Sequence, residues 1–149
     1  MTETPPTTGR TDREFTITRV FDAPRLLVWK AWTEPEQLAH WFGPRGLSTP
    51  LSSITTDVRP GGAFELTMVS DEDGTEYPSG GVFVEVVEPE RLVFRDRDVD
   101  MVVTVTFADL GGKTEMTCHV VGETGGDEAV AGWSSSFDKL VEVLAGDDG

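Results

Sequence analysis

The 149 residues suffice for one domain with a hydrophobic core, and 38% of them are hydrophobic, more than a disordered chain carries. A formal net charge of −15 repels phosphates and anionic lipids, so nucleic acid and membranes are excluded from the expected partners. No apolar run is long enough for a transmembrane helix, and Met1–Arg13 lacks the apolar core of a signal peptide. The lone Cys118 excludes an internal disulfide. These three observations together predict a cytoplasmic protein.

The N-terminal residues predict a tail followed by a strand. Residues 1–12 are rich in threonine and proline, which is typical of a disordered tail. We therefore expect a single domain over residues 13–146. The β-branched and aromatic residues of 14–21 predict its first strand.

Two short helices are predicted after this strand. Asp22 is a suitable N-cap, and apolar residues recur four positions apart in 27–32, which indicates an amphipathic helix. Thr33 and Glu36 have the spacing of a capping box, so a second helix is expected to begin there. Gly43-Pro44 should end it.

From residue 49 to residue 121 the pattern is that of strands. Apolar and polar residues alternate, most regularly over 101–107, as expected where one face of a strand is buried. Short turns rich in glycine or proline separate the segments and indicate antiparallel hairpins, whereas the acidic residues 70–79 predict a loop. The predicted strands are residues 49–58, 63–69, 81–87, 91–97, 101–107 and 114–121.

A long helix is predicted over residues 127–145. Its apolar residues recur every three or four positions: Val130, Trp133, Phe137, Leu140, Val141 and Leu144. About 19 residues span roughly 28 Å, and the apolar face of the sheet is the only partner surface of that length, so the sheet should wrap the helix in an α+β fold. Gly132 destabilises the helix centre by about 1 kcal/mol, which predicts a close approach of its backbone to the sheet or to a ligand.

The residues that usually carry catalysis are few. His119 falls on the strand face opposite Cys118, and His40 lies far away in sequence, so no Cys/His pair is expected. No spacing indicates a metal site or a cofactor-binding loop, so we expect neither a metal nor a cofactor, and no catalytic constellation is recognisable. The titratable residues predicted to face inward are Arg19, Arg95 and Asp96.

Aromatic and methionine side chains on the predicted inward faces suggest an apolar ligand site. The alternative is that they fill the core and leave no cavity. Tyr77 either reaches in from its loop as a polar group or stays exposed. The predicted ligand-binding residues are Trp32, Trp41, Phe42, Phe64, Met68, Tyr77, Phe94, Met101, Val103, Trp133 and Phe137.

Several motifs together resemble bacterial SRPBCC (START-like, Bet v-like) proteins, in the branch named for the C-terminal domain of the activator of the heat-shock protein 90 ATPase. The resemblance covers about residues 15–144 and implies a helix-grip fold, in which a curved antiparallel sheet of about six to seven strands surrounds the C-terminal helix and two short helices close one end of a cavity. The motifs are Arg19–Pro24, Val28–Glu36, Trp41–Pro44, Asp57–Gly62, Asp73–Pro78, Pro89–Phe94, Thr104–Phe107 and Gly132-Trp133.

Members of this superfamily bind lipids, sterols, polyketides and other apolar molecules, and a few are cyclases or hydrolases. The short turn at Asp98–Asp100 and the abbreviated segment Gly122–Gly126 depart from the usual pattern and should shorten the cavity rim. Three hypotheses follow: binding of a small apolar or amphipathic molecule between sheet and helix, a cyclase- or hydrolase-like enzyme, or a chaperone-interaction module. The expected partners are a small apolar ligand and, further, a weakly bound second copy or a chaperone.

Overall fold

The computed structural model describes residues 7–10, 14–97, 100–122 and 126–146. In this part of the chain nine strands form one antiparallel sheet, in the spatial order first, second, ninth, eighth, seventh, sixth, fifth, third, with the fourth also beside the fifth. The strands are β1 (Thr7–Arg10), β2 (Glu14–Phe21), β3 (Leu47–Ser48), β4 (Thr55–Thr56), β5 (Ala63–Ser70), β6 (Glu76–Val87), β7 (Arg91–Asp96), β8 (Met101–Asp109) and β9 (Thr114–Gly122).

Three α-helices pack against the sheet. Two short ones, α1 (Arg25–Thr33) and α2 (Pro35–Trp41), follow β2, and the long helix α3 (Gly126–Gly146) follows β9. Phe137 and Leu140 of α3 are fully buried in one core cluster with the inward residues of the strands. This arrangement confirms the predicted α+β helix-grip fold.

The alternating pattern of β8 and β9 sets which side of the sheet is buried. The register places Val105 opposite Cys118 and Phe107 opposite Met116, and all four side chains are buried. Their sequence neighbours point to the other face, because successive side chains of a strand alternate. His119 lies there half-buried, with its Nε2 2.6 Å from Oε1 of Glu14. The predicted inward and outward faces are confirmed for these strands.

Both predicted helix caps are wrong. The N-cap of α1 is Pro24, not Asp22, and it makes no side-chain cap hydrogen bond. The capping box fails because α1 continues through Thr33, whose hydroxyl donates to the Trp29 carbonyl over 3.0 Å. Glu34 is the N-cap of α2, with a proline at the start of the helix, where its missing N–H removes no hydrogen bond.

The buried face of α1 also differs from the prediction. Val28, Trp29 and Trp32 are buried, and the Trp29 ring meets Phe107 edge-on with 5.8 Å between ring centroids. Leu27 is 48% exposed, although its spacing from Ala31 predicts an inward position. Leu27 and Lys30 lie on the rim of a surface groove rather than under the sheet.

Three further segments depart from the sequence prediction. Thr7–Arg10, expected in a disordered tail, forms β1 and pairs with β2. The strand expected over 49–58 is a 3₁₀ helix, Leu51–Ser53, followed by the two residues of β4. Here the Ser53 hydroxyl donates to the Pro50 carbonyl over 2.7 Å, so a local hydrogen bond competes with strand pairing. The predicted acidic loop ends at Glu76, where β6 begins.

The two shortened rim segments fall largely outside the described residues, which omit 98–99 and 123–125. Within the part of the chain that is described, no helix combines the length and the apolar character needed to cross a bilayer.

Candidate ligand-binding site

The space between the sheet and the second half of α3 is filled by aromatic side chains. Trp32 is fully buried and lies 4.9 Å from Trp41, 6.3 Å from Phe94 and 6.0 Å from Phe137, measured between ring centroids. Its indole N–H donates to the Met116 sulfur over 3.2 Å. With its polar atom bonded inside the core, Trp32 is a packing residue.

A second tryptophan of this cluster is held in the same way. The Trp41 indole N–H donates to the Ala31 carbonyl over 2.9 Å, and the ring lies 6.2 Å from Phe137. Close aromatic packing of this kind leaves little free volume. The enclosed cavity beside the cluster accordingly measures about 40 Å³.

A larger cleft opens next to this small cavity, at the first half of α3, and measures about 230 Å³. The two share four lining residues, so they adjoin one another. The cleft is lined by Phe42, Gly43, Pro44, Met68, Ser79, Met101, Ala129, Gly132, Trp133 and Ser136.

The loop after α2 forms one rim of the cleft because the sequence turns sharply there. Gly43 has a φ of +98°, a conformation that favours glycine, and a Cβ at this position would lie 3.1 Å from the Met68 sulfur. The loop is fastened at two points: the Thr49 hydroxyl donates to the Phe42 carbonyl over 2.8 Å, and the Arg45 N–H donates to the Ser135 hydroxyl over 2.8 Å. The rim is therefore attached both to its own base and to α3.

Gly132 keeps the opposite wall open. A Cβ at this position would find only Pro44 Cγ, at 4.0 Å, so the helix backbone does not press against the sheet here. Of the two explanations offered for a mid-helix glycine, close helix–strand packing is wrong. The residue instead borders the cleft.

The polar groups of the site are few and unevenly placed. Ser79 of β6 and Ser136 of α3 line the open cleft, whereas Arg95 and Asp96 of β7 line the enclosed cavity. Arg95 is exposed, so its predicted inward position is wrong. Arg19, also predicted to face inward, lies on β2, and its guanidinium donates to the Asp138 carboxylate of α3 over 2.8 Å. No charged side chain is among the described residues that line the cleft.

The structure places the predicted ligand-binding residues in four different environments. Phe42, Met68, Met101 and Trp133 border the open cleft, and Phe64 and Phe94 border only the enclosed cavity. Tyr77 is 48% exposed on β6 and lines none of these spaces. The remaining four are fully buried packing residues: Trp32, Trp41, Val103 and Phe137.

Sequence reasoning did not assign Gly43, Pro44, Ala129 and the two serines to the site. Ser136 is three residues after Trp133 and four after Gly132, so it shares their helix face, and this spacing could have identified it. Ser79 gave no such signal, because residues 70–79 were expected to form a loop.

A second open space, about 550 Å³, lies between α1, α2 and the end of α3. It is lined by Leu27, Lys30, Gln37, His40, Glu142, Val143 and Leu144. Four of these seven residues are polar or charged, against two of ten in the cleft. The smaller cleft is therefore the better match to an apolar ligand site, despite its volume.

The described residues offer little else for chemistry. Burial raises the pKa of the Cys118 thiol, which has no exposed surface, so it is not a nucleophile in the folded protein. In the portion of the chain that is described, no three His, Cys, Asp or Glu side chains are grouped to hold a metal ion.

Comparison with known proteins adds a family and a fold. Residues 22–145 match the family model described as Activator of Hsp90 ATPase homolog 1-like protein. The structure is similar to that of a Chromobacterium violaceum protein, with a TM-score of 0.82, 28% identity, and coverage of 90% of this chain and 99% of that one. No curated protein matches the sequence.

Two further solved structures agree. An AHSA1-like protein from Aeromonas hydrophila has a TM-score of 0.74 and 27% identity, over 88% of this chain and 94% of that chain. A protein from Arthrobacter aurescens has a TM-score of 0.84 at 22% identity, over 98% of this chain and 95% of that one. The last likeness concerns the fold alone.

Proposed function

This chain belongs to the family of Activator of Hsp90 ATPase homolog 1-like proteins, and from that premise we propose that it binds a small apolar or amphipathic molecule in the cleft between β6, β8 and α3. The observation that carries the proposal is the 230 Å³ cleft itself, concave and bordered by Trp133, Phe42 and two methionines. Aromatic and flexible thioether side chains are typical of apolar ligand sites.

The volume sets the size of the ligand. The cleft equals the liquid volume of about eight water molecules, below the several hundred cubic ångströms of most small-molecule sites. A molecule with one or two rings, or a short chain, fits this space. A sterol or a long acyl chain does not fit unless the aromatic cluster rearranges.

Binding is favoured over catalysis by the placement of the charged groups. Arg95 and Asp96 border only the 40 Å³ cavity, which is too small for a substrate and a water molecule together. Among the described residues, those that line the open cleft offer two serine hydroxyls and no acid or base. A general acid or base must lie within hydrogen-bond reach of the reacting group.

The proposal is tested with naphthalene as the apolar probe, titrated into the protein while the indole N–H resonance of Trp133 is followed by NMR. The variant Gly132→Leu places an isobutyl group in the cleft and should abolish the shift of this resonance. Ala131→Leu adds the same side chain at the neighbouring, exposed position and should bind naphthalene as the wild type does.

A separate variant tests whether naphthalene binds in the larger groove instead of the cleft. Leu27→Glu places a charge in the space between α1, α2 and α3 and should leave naphthalene binding unchanged. If Leu27→Glu abolishes binding while Gly132→Leu retains it, the site lies in the groove and the proposal is wrong. If the wild type does not bind naphthalene, the cleft is not an apolar ligand site.

A further inference from the structure

Three consecutive serines on α3 have different surroundings. The Ser134 carbonyl accepts from the Arg19 guanidinium over 3.4 Å, and the Ser135 hydroxyl accepts from the Arg45 N–H over 2.8 Å. Ser136 is only 4% exposed and lines the cleft, and its hydroxyl has no hydrogen-bond partner among the described residues. Because the side chain lines the cleft, its hydroxyl can be reached from that space and can bond to water or to a ligand there.

A second hydroxyl borders the same cleft from the other side. Ser79 lies on β6, opposite Leu66 of β5, and its side chain also has no hydrogen-bond partner in the described part of the chain. The strand and the helix thus each present one hydroxyl to the cleft, and the other described residues that line it contribute apolar side chains or glycine backbone. A hydroxyl both donates and accepts, so the pair can bond a carbonyl or another hydroxyl.

The charge of the site restricts the ligand further. None of the described residues that line the cleft is charged, so a buried carboxylate or ammonium group would have no counter-ion there. The net charge of −15 also repels anions from the whole molecule. A fatty acid or an organic phosphate therefore fits poorly.

We infer that the ligand is an uncharged amphiphile: a small apolar body carrying one neutral oxygen group, a hydroxyl or a ketone, that hydrogen-bonds to Ser136 and Ser79. Phenols, small cyclic ketones and short alcohols belong to this class. The inference rests on the proposed function, since it specifies which molecules the apolar cleft prefers.

The test compares three probes that share one ring system: naphthalene, 2-naphthol and 2-naphthoate, titrated at pH 7 as above. In the wild type, 2-naphthol should bind roughly 2- to 12-fold more tightly than naphthalene, the gain of one hydrogen bond. 2-Naphthoate should bind at least about tenfold more weakly than 2-naphthol, because its charge is not compensated.

Serine variants test whether Ser79 and Ser136 cause the preference for 2-naphthol over naphthalene. In the double variant Ser79→Ala with Ser136→Ala, the ratio of the affinities for 2-naphthol and naphthalene should fall to about one. Ser134→Ala, which removes a neighbouring hydroxyl outside the cleft lining, should keep the preference.

The outcomes separate the two proposals. If naphthalene binds in the cleft but 2-naphthol gains nothing, or its preference survives in the double variant, the binding function holds and the serine inference is overturned. Tighter binding of 2-naphthoate than of 2-naphthol overturns it too. If naphthalene does not bind at all, both proposals fail.

Discussion

The two halves of α3 meet the sheet in opposite ways. Along the second half, Phe137 and Leu140 are fully buried in the core, and the Phe137 ring packs against Trp32 and Trp41. Along the first half, Gly132 and Ser136 border an open space of about 230 Å³. One amphipathic helix therefore serves as a core element and as a cleft wall within about two turns. The difference follows from side-chain size, since bulky rings fill one end and small residues leave the other open.

Stability should depend on the filled end far more than on the cleft. Trp32→Ala removes a fully buried ring that meets four other aromatic rings, and the loss in the free energy of unfolding should be about 3–5 kcal/mol. Trp133→Ala, at the half-buried cleft wall, is the matched comparison and should cost less. Urea unfolding of both variants measures the difference. Equal losses would show that the cleft end is packed as tightly as the core.

Gly81 and Gly132 allow the same comparison between a closely packed and an open position, tested by adding one methyl group at each. A Cβ at Gly81, in the enclosed cavity, would lie 1.7 Å from the Arg95 carbonyl oxygen, so Gly81→Ala should destabilise the protein by about 1–3 kcal/mol. Gly132→Ala meets nothing nearer than 4.0 Å and should stabilise the helix by up to about 1 kcal/mol. Thermal unfolding of the two variants compares them. A destabilised Gly132→Ala variant would contradict the open wall.

The smallest effect concerns pH. Burial is the main cause of a lowered pKa for Lys139 of α3, with the nearby Arg45 acting in the same direction. The Lys139 ammonium group therefore loses its proton at lower pH in the folded protein than in the unfolded chain. As a result, the free energy of unfolding should rise as pH increases from the lowered pKa towards 10.5. Lys139→Met should lack this rise. Urea unfolding of the wild type and of Lys139→Met at a series of pH values gives this contribution as the difference between the two stability profiles. Parallel profiles would contradict the prediction.

Much of the fold could be predicted because it rests on periodic patterns. The alternation in β8 and β9 and the three- and four-residue steps of α3 report burial directly, and both survive in the structure. The helix caps could not be predicted in the same way. Thr33 is the buried last residue of α1, and its hydroxyl donates to the Trp29 carbonyl one turn earlier, so it does not cap α2.

The candidate site was harder to predict, since a cleft is defined by the space between elements. Sequence pattern identified inward aromatic residues but could not show that Trp32 and Trp41 fill the core whereas Trp133 borders open space. That outcome depends on three-dimensional packing among segments far apart in the chain. The absence of a side chain at Gly132 was visible, yet its consequence depended on where Pro44 lies.

The position of β2 in the sheet has a consequence for synthesis. β2 pairs with β1 on one side and with β9 on the other, where Glu14 lies opposite Val121. Of these two neighbours only β1 is synthesised close in time to β2. At about 5–20 residues per second, the ribosome needs roughly 5–20 s to add the intervening hundred or so residues. One edge of β2 thus stays unpaired until β9 has emerged from the ribosome. Pairing of strands so far apart in sequence is slow, because the entropy of loop closure is lost before the strand contacts form.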